Sequence, residues 1–213
     1  MGAVAAVAMC LVACGAPQEP APEPPSSQAS TRINPARVDR ARADLPPGYE
    51  VADLDGRVAP VTAWGYGPQW STEPAQCAAL ADPVGDAAAE GWSASGPGGI
   101  VYAAVAAAPG AMDRAVVDAC GQWTVSGGRT TGTVTLAPAP PLPDATTVAM
   151  STDSTTVVEG GTETRSHAET VTAYLGDHVA FVTVVTDPGS AHPQLSAEFA
   201  ATLIDKTVSA LRG

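Results

Sequence analysis

Between Thr162 and Thr186 the chain reads as two strands folded on a two-residue turn, and this pair limits what the rest can be. Thr162 to Leu175 alternates over its second half, and His178 to Thr186 is nearly continuous in Val, Ala and Phe181. The Gly176-Asp177 dipeptide between them is of the kind that closes tight hairpins. A strand that is apolar on both faces must lie inside a sheet and be covered by a helix on at least one side. Further strands are expected at Tyr49 to Leu54 and Arg57 to Trp64, around an Asp55-Gly56 turn, and at Gly99 to Ala106. Gly127-Gly128 and Gly160-Gly161 mark two more turns.

Helical spacing recurs in four places. One short helix is expected after Asn34, with Pro35 at its first position and Arg37, Arg40 and Arg42 on its solvated side. Those arginines face either plain solvent or anionic headgroups and wall polymer. Others are expected over Pro74 to Ala81 and over Met112 to Cys120. The last, about Pro193 to Leu211, aligns Leu195, Phe199, Leu203 and Ile204 on one stripe. The fold class is therefore α+β, an antiparallel sheet with packed helices.

The first thirty-two residues cannot join that globule. Residues 2 to 13 form an apolar run too short to span a bilayer, and they end in a small residue, as the hydrophobic part of an export signal does. Leu11-Val12-Ala13-Cys14 resembles the bacterial lipobox, in which the Cys is acylated and the residues before it are removed. Cys10 is the competing position, but Met9 before it is too large for the small-residue slot. Because no Lys or Arg precedes Cys14, where an export signal normally starts with basic residues, a translation start upstream of Met1 is expected. From Ala16 to Pro47 there are eight Pro residues and almost nothing large and apolar, so Pro17 to Pro25 should be an extended spacer. The organisation expected is a lipoprotein signal over 1–13, a lipid anchor and Pro-rich linker over 14–32, and one extracytoplasmic domain over 33–213.

Composition weakens the core of that domain. Ala supplies 42 residues, whereas Leu, Ile, Val and Phe together supply 38. A covalent staple would compensate. With Cys14 lipidated, Cys77 and Cys120 remain, an even number in an oxidising compartment, and one disulfide joining the two short helices is the economical inference. It would close a loop of about 44 residues and contribute roughly 4 kcal/mol in the chain-entropy account. The charge balance, 22 acidic against 10 basic groups, excludes a nucleic-acid partner, which needs clustered cations.

Catalytic patterns are absent. Gly91-Trp-Ser93-Ala-Ser95 lacks the last Gly of a nucleophile elbow. His167, His178 and His192 have no metal-ligand spacing, and Asp53-Leu-Asp55-Gly56 has no Glu at the twelfth position of a calcium loop. Gly96-Pro-Gly98-Gly99 precedes a strand rather than a helix, so it is no phosphate loop. No cofactor and no metal are expected. One cluster stands out: Trp64-Gly-Tyr66-Gly-Pro-Gln-Trp70 holds three of the chain's ten aromatic residues. Such a loop suits stacking on sugar rings or covering a lipid chain, and aromatics also anchor small cores, so both readings stay open. Trp92 and Trp123 are expected in the core.

The lipobox, the Pro-rich tether, Leu45-Pro-Pro-Gly-Tyr-Glu50, the Trp64-Gly-Tyr66-Gly loop leading to Cys77, and Cys120-Gly-Gln-Trp123 together resemble actinobacterial cell-envelope lipoproteins that carry an uncharacterised extracellular domain. Over about residues 33 to 213 the chain is also distantly similar to the PknH-type receptor-kinase sensor domain. That resemblance implies an antiparallel sheet with helices, a cleft that receives a ligand, and no known catalytic residues. The sensor carries two disulfides, and Cys77 with Cys120 can make only one.

The function expected is that of a lipid-anchored, non-enzymatic protein of the cell membrane or wall. It would bind a small envelope ligand, a glycan or lipid, or a partner protein, with Trp64, Tyr66 and Trp70 at the edge of the site. The rival readings are a secreted hydrolase with an unrecognised site and a purely structural envelope component.

Overall fold

A computed structural model describes residues 2, 32–54, 56–108 and 111–213. The lipobox with Cys14, and the spacer behind it, lie outside these residues. The described chain from Arg32 onward forms one domain around a nine-stranded, wholly antiparallel sheet. Its strands are β1 (Glu50–Leu54), β2 (Trp70–Glu73), β3 (Ala89–Gly96), β4 (Gly99–Ala107), β5 (Gln122–Gly127), β6 (Thr130–Ala137), β7 (Thr146–Val157), β8 (Glu163–Tyr174) and β9 (His178–Thr186). They lie in the order β1-β3-β4-β9-β8-β7-β6-β5-β2. The helices are α1 (Pro60–Ala63), α2 (Ala78–Ala81), α3 (Arg114–Ala119) and α4 (Ala197–Arg212), with 3-10 turns over Pro35–Asp44 and Ala75–Cys77. Among the described α-helices only α4 exceeds two turns, so the sheet dominates and the balance is more β than the α+β expectation held.

The β8–β9 hairpin forms as its sequence dictates. Leu175 and His178 close it with a backbone hydrogen bond of 2.8 Å across Gly176-Asp177, and Gly176 takes the left-handed φ of 78° that glycine adopts without cost. Strand β9 is buried on both faces, with β4 on one side and β8 on the other. Two clusters exploit this. On one face Trp92, Val101, Val182 and Val184 pack against Leu203, Ile204 and Leu211 of α4 and Val38 of the first 3-10 turn. On the other, Phe181, Met150 and Trp123 pack beneath α1, α2 and the segments joining them.

Three expectations need correcting. Arg57 to Trp64 is no strand: Arg57 to Ala59 pairs with nothing in the sheet, and Pro60 to Ala63 is a helical turn. Pro60 has no N–H to give a ladder, and its fixed φ suits a first helical position. The Thr62 hydroxyl then closes the turn, accepting from the Ala59 N–H at 3.0 Å and donating to the Ala59 carbonyl at 2.7 Å. Strand β1 therefore pairs with β3 instead, Val51 opposite Ala94. The last helix starts at Ala197 rather than near Pro193, because the Leu195 N–H is held by the Gly98 carbonyl at 3.1 Å and Ser196 caps the helix through the Phe199 N–H. In the turn after Asn34, Arg40 is exposed as expected, but Arg42 is half-buried and paired with Asp39 and Asp53. Trp92 and Trp123 are core residues, as read from the sequence.

Candidate ligand cleft

The two cysteines are fully buried and joined, with Cα atoms 5.7 Å apart. Cys77 ends the 3-10 turn that runs straight into α2, and Cys120 follows α3. The bond therefore fixes α2 beside α3, two short helices that have little surface of their own to hold them. Between them opens a cleft of about 450 Å3, within the range of small-molecule sites. One wall is α2 and the turn after it, with Leu80 and Val84. The other is the approach to α3, with Met112 and Val116. Ala108, at the end of β4, and Tyr174, at the end of β8, complete the lining.

Each wall is braced by polar contacts. Arg57 reaches from the segment before α1 to the Asp82 carboxylate and the Gly85 carbonyl, while the other Asp82 oxygen accepts from the Gly85 N–H at 3.0 Å. The Asp82 side chain is only 8% exposed, so this pair is one of the better-shielded ion pairs in the domain. On the opposite wall Asp113 caps α3, accepting from the Ala115 N–H at 2.8 Å. Burial pushes the Tyr174 phenol up to about 12, so it is a neutral hydroxyl at any physiological pH.

The aromatic loop does something else. Trp64 and Tyr66 are each 3% exposed, and both spend their polar atoms inside the fold. The Trp64 indole donates to the Thr170 hydroxyl at 2.9 Å, Thr170 meets Thr183 at 2.9 Å, and the Tyr66 hydroxyl meets Ser154 at 3.0 Å. The Trp64 and Trp123 rings sit 6.1 Å apart at 49°. Tyr66 lies so close over β6 that a Cβ at Gly132 would come within 2.4 Å of its hydroxyl. Trp70, half-buried on the edge strand β2 opposite Gly127, is the one member of the trio with a solvent-facing part. Trp64 and Tyr66 fill the core beneath α1, and none of the three lines the cleft between α2 and α3.

Two of the three histidines are occupied as well, and the third, His192, bonds Ser190 through its backbone N–H. His167 lies across β7 and β8 with Nδ1 2.8 Å from Asp153 and Nε2 2.9 Å from Glu169. The Glu169 hydrogen bond, which outweighs the cost of burial, and then Asp153 raise its pKa to about 9. Both nitrogens donate in the imidazolium form, so at neutral pH His167 bridges the two carboxylates as a cation. His178 bonds the Asp177 carboxylate at 2.7 Å, and this bond holds the Asp177 carboxyl below its usual range. Gly96-Pro-Gly98-Gly99 is the β3–β4 hairpin turn, and its glycines make room for Tyr49, whose ring would meet a Cβ at Gly96 at 2.6 Å.

Sequence reading missed the cleft because its lining, mostly small and apolar residues with three Asp and Tyr174, comes from three segments far apart in the chain, none of which forms a motif. The one signal was the inferred pairing of Cys77 with Cys120, which requires the first two segments to meet.

Comparison with known proteins sets this geometry in context. Residues 34–212 match the family model described as a domain of unknown function, DUF5642, and the chain belongs to that family. A crystal structure of an uncharacterised protein from Mycobacterium smegmatis, an Rv0999 ortholog, has the same fold with a TM-score of 0.63. The match covers 87% of this chain and all of that one at 19% identity. No curated protein matches the chain.

Proposed function

We propose that this member of the DUF5642 family is a lipid-anchored protein of the cell envelope that works by binding, and that the cleft between α2 and α3 is its binding site. The cleft itself carries the reading: apolar walls on two short helices, held by a buried disulfide and an Arg57–Asp82 strap. Such a site is pre-formed, so a ligand need not supply the cost of ordering it. The disulfide also favours an oxidising compartment, which agrees with export directed by Leu11-Val12-Ala13-Cys14. The engagement of both His167 nitrogens by carboxylates favours binding over hydrolysis.

Titration with the neutral fluorophore N-phenyl-1-naphthylamine tests the site. The wild type should give a saturable rise in emission, and Met112→Trp, which fills the cleft from a half-buried position, should weaken it at least about tenfold, or about 1.4 kcal/mol. Equal binding by both would remove the cleft from the account. The anchor is tested separately by intact mass of the protein from cell membranes, where a chain beginning at Met1 with an unmodified Cys14 would refute it.

A further inference from the structure

The cleft has a chemical polarity beyond its apolar walls. Three carboxylates line it, those of Asp82, Asp86 and Asp113, and no Lys or Arg lines it among the described residues. Asp82 is neutralised from behind by Arg57. Among the described residues Asp86 and Asp113 have no such ion pair: both are exposed, and the Asp113 side chain accepts from a backbone N–H to cap α3. An anionic ligand would thus be repelled by two carboxylates of the lining, and a cationic one would be attracted. Tyr174 adds an aromatic ring and a hydroxyl that stays protonated, both of which accept a cation well.

Resting on the reading of this cleft as the binding site, we propose that its occupant is a small apolar molecule ending in a protonated amine. The hydrocarbon part would lie against Leu80, Val84, Met112 and Val116, and the ammonium at Asp86 and Asp113. Size agrees with this: about 450 Å3 admits a ring system or short chain but not a folded peptide. Charge at the opening also sorts ligands on approach, since a cleft lined with one sign of charge raises the local concentration of the opposite ion.

The test pairs dansylcadaverine, an apolar fluorophore on a short alkyl chain ending in a primary amine, with its N-acetyl derivative, which has the same shape and no charge. The full-length protein should bind the amine at least about tenfold more tightly, about 1.4 kcal/mol. The preference should shrink to within about twofold in the Asp86→Asn/Asp113→Asn double variant and in 1 M salt, where screening acts within about 3 Å. Asn still caps a helix, so α3 is retained. A preference that survives the double substitution would come from the overall charge of −12 and overturn the proposal. Equal affinity for both probes, abolished by Met112→Trp, would overturn it while leaving the cleft as the site. Binding of both probes unaffected by Met112→Trp would overturn the cleft and this inference together.

Discussion

The two covers of the sheet are built on opposite principles. On one face α4 lays down sixteen residues in a single amphipathic run, and its buried stripe of Ala200, Leu203, Ile204, Val208 and Leu211 makes its own continuous seam. On the other face the cover is a patchwork: α1 and α2 have four residues each and α3 has six. Helices that short do not persist alone. They are held by the Cys77–Cys120 bond, by Arg57 across to Asp82, and by Trp64 and Tyr66 anchored to threonines and a serine of the sheet. The lesson is that a continuous helix closes its face, whereas a patchwork fastened at points leaves a gap between the points, and here that gap is the cleft.

Removing the fastening should therefore separate the faces. The double variant Cys77→Ala/Cys120→Ala is expected to lose about 4 kcal/mol of stability in urea unfolding, the chain-entropy value for this loop. It should also lose N-phenyl-1-naphthylamine binding under conditions where it is still folded. Leu203→Ala, in the centre of the α4 seam, should cost about 3 kcal/mol by cavity formation and leave binding to the folded protein unchanged. If both variants lose binding alike, the cleft depends on the whole domain and the contrast between the covers is wrong.

The same contrast explains what the sequence made legible. Strand β9 announced itself because it is covered by both layers and must be apolar throughout, and α4 because one seam imposes one period. Strands β2, β3, β5, β6 and β7 were not read, although the turns at Gly127-Gly128 and Gly160-Gly161 were. On β5, β6 and β7 the residues on α4's face lie beyond the helix and are polar: Thr124 and Ser126 on β5, Thr131, Thr133 and Thr135 on β6, Asp153 on β7. Their pairing supplies what an apolar alternation would have signalled. Val58 and Val61 suggested a strand where Pro60 in fact starts a helix, because a β-branched run was weighted above a missing N–H. The Trp64–Trp70 cluster was visible as a cluster, but only the threonines and the serine of distant strands that Trp64 and Tyr66 contact reveal that two of its members are structural.

Trp64 offers a finer probe of the patchwork. Trp64→Phe keeps most of the ring packing against Trp123 and removes the indole N–H that bonds Thr170. Thr170 retains Thr183, so its hydroxyl is not stranded. The expected loss is about 1–2 kcal/mol. Thr170→Val should cost a similar amount, and the double-mutant cycle should recover an interaction energy of about 1 kcal/mol. Strict additivity would mean that Trp64 holds the cover by packing alone.

The smallest effect lies on the polar part of α4's own face, beyond the residues that the helix covers. His167 gains its proton affinity from Glu169 first and Asp153 second, so its pKa rises from 6.5 to about 9 on folding. A cation stabilised by folding contributes fully below the unfolded pKa and ceases to contribute as pH rises through the folded one. The stability of the wild type relative to His167→Gln should therefore fall between about pH 6.5 and pH 9 and be flat below that window. The side chain of His167 is 29% exposed and that of Asp153 78%, so solvent screening limits the change to about 1 kcal/mol. It should shrink further in 0.5 M salt, because neither covering layer reaches this ion triad. A pH-dependent loss of several kcal/mol that salt does not reduce would mean that the triad is enclosed, and that the polar half of the sheet has a cover of its own.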